Sequence, residues 1–168
     1  GINNEDAKVH IAIQKTIPVI EQLIERIIIN MNKGGRVFYI GDGTIGRLGV
    51  LDASELPPQL GVTPDLVYGF IAGGDTALRK AVEHAEDNNE QAWLDLESLN
   101  VNINANDTVI GIAASGTTPY VIGGIKKSRE MGLLTACITC NKGSPLAQVS
   151  EYAIEAVVGP EFLTGSTR

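Results

Sequence analysis

The stretch RVFYIGDGTIG at residues 36–46 decides the predicted fold, because a compact apolar strand runs directly into a glycine-rich turn and then a helical pattern. Four more apolar segments of strand length alternate with helical patterns; they occupy residues 66–71, 107–113, 133–139 and 153–158. Strands that are apolar almost throughout and separated by helices indicate a parallel sheet buried on both faces. Because parallel neighbours need right-handed crossovers, we predict an α/β fold of the doubly wound type: a three-layer αβα sandwich around a five-stranded parallel sheet.

A helical segment at residues 1–33 precedes residues 34–168, and we predict that the two form one domain. Pro18 lacks an N–H, which predicts either a kink or a second helix that begins after Thr16. The Gly34-Gly35 pair ends the helical pattern. The spacing of three and four residues defines one apolar stripe: Val9, Ile13, Ile17, Ile20, Ile24, Ile27 and Met31.

The run Ile27-Ile28-Ile29 places apolar side chains on more than one side of this helix. That pattern favours packing against a second subunit as well as against the sheet, and therefore a homodimer. The alternative is that all three side chains belong to the core.

Charge and composition exclude several classes of protein. The net charge of −7 argues against a nucleic-acid binder. No apolar run is long enough to span a bilayer, and the first ten residues lack the apolar centre of a signal peptide, so we expect no membrane partner. Two cysteines do not make a disulfide framework, which predicts a cytoplasmic location. Cys137 and Cys140 have the spacing of a redox pair, but Cys137 falls in an apolar strand and we favour an inert core thiol.

Ligands of such a sheet bind at the carboxyl ends of the strands, near the point where strand order reverses. The glycine loop at residues 41–46 fits G-x-G-x-x-G, which would suggest a dinucleotide. The acid expected at the end of the second strand is missing, because the first acid after Ile71 is Asp75. We therefore rank a dinucleotide enzyme last among the possible functions.

A second loop, Ser115-Gly116-Thr117-Thr118, precedes a helix with Pro119 in its first turn. Hydroxyls and free N–H groups at a helix N-terminus suit a phosphate group. Two such loops on neighbouring strands favour one small phosphorylated ligand that bridges them. The alternative, in which Ser115 and Thr118 only cap the helix, stays open.

Two carboxylates deserve separate consideration. Glu55 stands at the end of the helix that follows the first glycine loop, where the helix dipole disfavours an acid, although a solvated helix end explains it equally well. Glu86 lies in an acidic stretch that a solvated surface explains. No spacing of ligands typical of zinc occurs, and we expect no metal.

Four stretches, GGRVFYIGDGTIGRLGVLDASELPP, IAGGDTALRKAVEHAED, GIAASGTTPYVIGG and NKGSPLA, the last followed by VVGPEFLTGSTR, extend from residue 34 to residue 168. In these motifs and their order the chain resembles the N-acetylmuramic acid 6-phosphate etherases, members of the sugar isomerase (SIS) domain superfamily. The resemblance implies a SIS-type sandwich, a homodimer, a sugar-phosphate ligand and no cofactor. It also implies a lyase that cleaves the D-lactyl ether of N-acetylmuramic acid 6-phosphate in peptidoglycan amino-sugar recycling.

By the same resemblance, the catalytic acids fall on Glu55 and Glu86. The residues that bind the phosphate then fall on two loops: Gly43 and Thr44 in the first, and Ser115, Gly116, Thr117 and Thr118 in the second. Three positions depart from the family pattern, namely Asp42, Ile45 and Thr117, and an inward-pointing Asp42 would repel an anion. Family members also continue past the position of Arg168, so the chain is expected to be part of a longer protein. A second reading is a regulatory protein that binds a sugar phosphate without reaction, similar to the glucokinase regulatory proteins.

Overall fold

The computed structural model describes residues 2–42, 67–71, 87–99 and 102–159. In chain order the elements are α1 (Ile2–Asn32), β1 (Val37–Gly41), β2 (Val67–Ile71), α2 (Gln91–Glu97), β3 (Thr108–Ile112), α3 (Pro119–Glu130), β4 (Leu134–Thr139), α4 (Pro145–Val149) and β5 (Tyr152–Glu155). All five predicted strands are confirmed, although β5 ends at Glu155 rather than at residue 158. Helix α4 was not predicted.

The five strands are parallel and lie in the order β2-β1-β3-β4-β5. Tyr39 of β1 pairs with Gly69 of β2 on one side and with Ile110 of β3 on the other. The order along the sheet therefore reverses at β1, and the carboxyl ends of β1 and β3 flank the switch point of a doubly wound sheet. This confirms the predicted class of fold.

Alternate residues of each strand point to opposite faces of the sheet, so each face has its own core. Helices pack on both faces. Phe38 and Ile40 of β1 belong to a core that includes residues of α2, α3 and α4. Val37, the first residue of β1, points to the opposite face. It belongs to a second core, in which Leu23 of α1 is buried. The described part of the chain therefore has the three predicted layers, with α1 on one side and α2, α3 and α4 on the other.

The seven residues of the apolar stripe all lie on α1, but the stripe does not face the sheet as a whole. Val9, Ile13, Ile17 and Ile24 are exposed, whereas Ile20, Ile27 and Met31 pack at least partly against the core. The buried residues of α1 are instead Ala12, Thr16 and Leu23, of which Leu23 lies in the core against the sheet. The helix has apolar residues on two adjoining faces, and periodicity could not tell which of them the sheet would take.

Helix α1 runs without a break from Ile2 to Asn32, with Pro18 inside it, so the predicted second helix does not form. Its end is confirmed: Gly34 has φ +89°, and its N–H donates to the carbonyl of Met31 at 3.0 Å. Glycine adopts this left-handed conformation without the steric cost that other residues incur. Among the described residues, no helix is both long and apolar enough to cross a membrane.

A buried ion pair joins the amino ends of the two central strands. Asp107, which immediately precedes β3, is fully buried, and its Oδ2 lies 2.8 Å from Nη2 of Arg36, which precedes β1. The other oxygen, Oδ1, accepts from the backbone N–H of Arg36 at 2.9 Å and from its Nε at 3.1 Å. Asn104 donates its N–H to Oδ2 at 2.8 Å, so the carboxylate is fully hydrogen-bonded. This pair joins β1 to β3 at their amino ends, and the parallel pairing of the two strands places their carboxyl ends side by side.

Candidate active site

The loop after β3 is a tight turn held together by its own hydroxyls. Ser115 Oγ lies 2.9 Å from Thr117 Oγ1 and accepts the Thr117 backbone N–H at 3.2 Å. Gly116 donates its N–H to the carbonyl of Ala113 at 3.1 Å and has φ +71°. Its own carbonyl accepts the N–H of Leu146 at 3.0 Å. The predicted residues Ser115, Gly116 and Thr117 therefore form one compact group of hydroxyls and amides.

Gly116 is required here for space as well as for conformation. A Cβ at this position would lie 2.2 Å from Ser144 Oγ and 2.4 Å from Ser144 Cβ. Ser144 is itself fixed, because its hydroxyl accepts the N–H of Ala147 at 3.2 Å and caps α4. The backbone of the loop can approach α4 this closely only if residue 116 has no side chain.

Thr118 occupies the N-cap position of α3, but its side chain makes no capping hydrogen bond. Its hydroxyl donates instead to Asp42 Oδ2, at 3.1 Å. For Thr118, the capping alternative raised by the sequence is therefore wrong. The helix that follows has 12 residues and begins with Pro119, so its first-turn amides and its dipole give this end a partial positive charge.

The hydrogen bond between Thr118 and Asp42 joins the residue that follows β1 to the loop that follows β3. Asp42 immediately follows β1, and Thr118 ends the loop that follows β3. The bond therefore lies at the switch point of the sheet, where ligands of such folds bind. Because Asp42 points to this loop, its carboxylate stands where the sequence predicted that it would oppose an anion.

The loop after β4 supports the site from the other side. Asn141 donates from Nδ2 to the carbonyl of Ser115 at 3.1 Å, and Cys140 donates its N–H to the carbonyl of Ala114 at 2.8 Å. Neither contact was predicted. For α4 a local signal was present, because Ser144-Pro145 has the residue types favoured at an N-cap and the following position.

Tyr120, in the first turn of α3, ties this turn to α2. It is fully buried, and its hydroxyl donates to Asp95 Oδ2 of α2 at 2.7 Å. The other oxygen of Asp95 accepts from Nε2 of Gln91 at 2.8 Å. Burial, reinforced by the hydrogen bond to Asp95, raises the pKa of Tyr120 far above its usual value. This neutral tyrosine holds α2 against the end of α3 that carries the candidate site.

Cys137 has the properties of a core residue. It is fully buried in β4, and burial raises the pKa of its thiol, which disfavours the reactive thiolate. Cys140, by contrast, is exposed at the end of the same strand. The burial of Cys137 agrees with the inert role favoured by the sequence.

Four of the predicted site residues lie outside the described part of the chain: Gly43, Thr44, Glu55 and Glu86. Gly43 directly follows Asp42 in the sequence, and Glu86 directly precedes Asp87. Their roles stay predictions. Two cavities of about 300 and 420 Å³ occur in the described part, both bordered by Trp93, and neither contains a predicted site residue.

Comparison with known proteins matches residues 19–129 to the family described as the glucokinase regulatory protein N-terminal SIS domain. The N-acetylmuramic acid 6-phosphate etherase of Christiangramia forsetii is 62% identical over 168 residues, which are 100% of this chain and 61% of that protein. The protein of the same name from Porphyromonas gingivalis is 59% identical, over 99% of this chain and 60% of its own length. The chain thus spans about three fifths of the curated relatives that it matches.

Among solved structures, a phosphoheptose isomerase from Francisella tularensis superposes with a TM-score of 0.68. It is 16% identical, and the match covers 93% of this chain and 84% of that one. A similarity at this identity establishes the fold. The SIS type that the resemblance implied is carried by the family model, and the five-stranded parallel sheet has the fold of this solved structure.

Proposed function

This chain belongs to the family of the glucokinase regulatory protein N-terminal SIS domain, and from that membership we propose that it binds a sugar phosphate between the loops that follow β1 and β3. We further propose that the protein is a lyase: it cleaves the D-lactyl ether of N-acetylmuramic acid 6-phosphate and gives N-acetylglucosamine 6-phosphate and D-lactate. The observation that carries this proposal is the 62% identity to an etherase over all 168 residues. Such a reaction belongs to the recycling of peptidoglycan amino sugars in the cytoplasm.

The geometry around Gly116 supports the phosphate-binding half of the proposal. Ser115 and Thr117 present hydroxyls 2.9 Å apart beside the N-terminus of a 12-residue helix, next to Thr118. A phosphate monoester is well suited to such a group, because hydroxyls and amides donate to its oxygens and the helix dipole favours its charge. Gly43 and Thr44 of the first loop would complete the phosphate site. With C6 held in this way, C2 and C3 of the open-chain sugar are positioned for the reaction.

The chemistry that we propose is an elimination followed by hydration. In a same-face elimination Glu55 takes the C2 proton, a C2–C3 double bond forms next to the aldehyde, and the C3–O bond breaks to release D-lactate. Water then adds across the double bond, with OH at C3 and H at C2. Because an alkoxide is a poor leaving group, we assign Glu55 as the general acid that protonates it, a role worth roughly 10²–10⁴-fold. Glu86 assists proton transfer or activates the water that adds at C3. Both assignments rest on the resemblance of the DASE and AED stretches to the family motifs.

A second candidate is a regulatory protein that binds the sugar phosphate without reaction. The family model named for the glucokinase regulatory protein is the observation that favours it. The two proposals differ at Glu55, because binding alone has no chemical need for a general acid. We rank the etherase first on its identity to the named relatives.

The decisive experiment is an assay of D-lactate released from N-acetylmuramic acid 6-phosphate. We expect release by the wild-type chain and by a longer form, and none by Glu55→Gln, which retains binding of the sugar phosphate. Glu25→Gln, an exposed change on α1, is the control and should release lactate normally. Undiminished turnover by Glu55→Gln would remove that residue from its role, and binding without lactate release by the wild type would favour the regulatory protein.

Ser115→Ala tests the phosphate site. The variant loses the hydroxyl that accepts from the Thr117 amide and that we place on the phosphate. We expect a raised KM with a smaller change in kcat. An unchanged KM would contradict the proposed phosphate site.

We also propose that the protein is a homodimer through α1. Ile13, Ile17, Ile24 and Ile28 recur at helical spacing and are each between 44 and 52% exposed. These side chains lie beside the face that contacts the sheet, so a second subunit could bury them without disturbing the core. Light scattering should give twice the chain mass, and Ile17→Glu should give a monomer; a wild-type monomer would contradict this interface.

A further inference from the structure

The hydrogen bond between Thr118 and Asp42 has a consequence for ligand binding. Thr118 Oγ1 donates to Asp42 Oδ2 at 3.1 Å, and a hydroxyl has only one proton to donate. A phosphate oxygen that accepts from Thr118 must therefore displace the carboxylate oxygen of Asp42. Thr118 is only 8% exposed, so its hydroxyl has little freedom to reach a different acceptor.

The chemistry of the two acceptors makes this a direct competition. An ionised carboxylate and a phosphate oxygen are both negatively charged acceptors, and both are favoured at the N-terminus of a helix. Asp42 follows β1 directly, and the strand holds it at the start of α3. Because it is part of the folded chain, its carboxylate loses no translational freedom when it accepts this hydrogen bond. An incoming phosphate has to give up that freedom as it binds.

We propose that Asp42 is a specificity-determining residue that occupies one phosphate-oxygen position of the site and so weakens the binding of phosphate esters. This inference rests on the proposed function, because it assumes that a phosphate binds at the Ser115–Thr118 loop. Asp42 acts through the hydroxyl of Thr118. The effect of a change at position 42 on phosphate affinity should therefore depend on the residue at position 118. Partial unfolding would not produce such a dependence.

The test is calorimetric binding of N-acetylglucosamine 6-phosphate and of inorganic phosphate to the 168-residue chain. We expect Asp42→Ala to lower Kd about tenfold, the scale of one hydrogen bond to a charged group. Asp42→Asn removes the charge but keeps an acceptor for Thr118, and it should give a smaller gain. Unphosphorylated N-acetylglucosamine should bind the variants and the wild type alike. Glu21→Gln, which removes one exposed charge of α1, should leave every Kd as in the wild type.

The double variant Asp42→Ala with Thr118→Val separates this mechanism from a general effect on the loop. Because most of the gain is assigned to the released hydroxyl, the gain should fall to about that of Asp42→Asn when that hydroxyl is absent. A gain as large in the double variant as in Asp42→Ala, or phosphate binding that is equal or weaker in Asp42→Ala, would overturn the inference. So would a wild type and variants that bind no phosphate at all.

The proposed function fails by a different result. If Asp42→Ala binds the phosphate ester more tightly but the wild type releases no D-lactate, the inference stands and the etherase activity does not. If lactate is released but Kd is unaffected by Asp42→Ala, the activity stands and the inference fails. The two outcomes are read in separate assays.

Discussion

An aspartate joins β1 to β3 at each end of the sheet, and the two aspartates differ in what they bind. At the amino end, Asp107 is fully buried and meets the guanidinium of Arg36, so its charge is compensated within the fold. At the carboxyl end, the half-buried Asp42 accepts from the hydroxyl of Thr118 at the start of α3. The comparison separates a carboxylate that holds the strands together from one that lies where an anionic ligand would bind.

The largest effect is expected from Asp107→Ala. This change leaves Arg36 without its buried partner, and breaking a buried ion pair costs about 3–5 kcal/mol. Urea unfolding should therefore show a large loss in the free energy of unfolding. The matched control is Glu151→Gln, which breaks the exposed pair with Arg26 and should cost less than about 1 kcal/mol. Equal losses in the two variants would remove the distinction between the buried and the exposed pair.

Gly116→Ala should have the next largest effect. It combines a left-handed backbone with a Cβ that would lie 2.2 Å from Ser144 Oγ, and we expect a loss of roughly 2–3 kcal/mol together with weaker phosphate binding. Gly143→Ala is a control with the same kind of strain, because Gly143 has φ +66° but no atom within 4 Å of its added Cβ. If both variants lose the same stability and neither loses affinity, the close approach to α4 does not shape the site.

Tyr120→Phe tests the contact that holds α2 against α3. Its expected cost is about 1–2 kcal/mol, because Asp95 loses a donor. Since the folded state raises the pKa of Tyr120, only the unfolded chain releases this proton just above pH 10. The stabilisation is therefore present below about pH 10 and is lost as the pH rises further.

In Tyr120→Phe, stability should accordingly fall less steeply with pH above about pH 10 than in the wild type. The control is Tyr152→Phe, whose hydroxyl contacts Arg26 rather than a carboxylate. Denaturant titrations at several alkaline pH values give the slopes. Identical slopes for Tyr120→Phe and the wild type would contradict the assigned cause.

A smaller effect on stability, about 1 kcal/mol, is expected from Asp42→Ala, because its carboxylate lies at a helix end and its hydrogen bond to Thr118 is only partly buried. This small loss should accompany the gain in phosphate affinity, whereas Asp107→Ala should lose stability with no gain. Thermal unfolding with and without phosphate measures both quantities. If Asp42→Ala lost as much stability as Asp107→Ala, both aspartates would be structural, and the contrast between the two ends of the sheet would be wrong.

The sequence by itself determined the layers, the five parallel strands and the loop after β3, because buried parallel strands are apolar throughout and glycines mark the turns that follow them. It also predicted a group formed by Ser115, Gly116 and Thr117. It could not choose between the apolar faces of α1, because Ile13 and Leu23 carry the same periodic signal and only the sheet decides which is buried.

Only the tertiary structure decided the partners of the polar side chains. Thr118 donates to Asp42 across 76 positions of chain, and Arg36 reaches Asp107 across 71. The local sequence favours a capping role for Thr118, because it contains only the helix that follows and no distant partner. The hydroxyl turns to Asp42 because parallel pairing of β1 with β3 brings their carboxyl ends together, a proximity that no local spacing encodes.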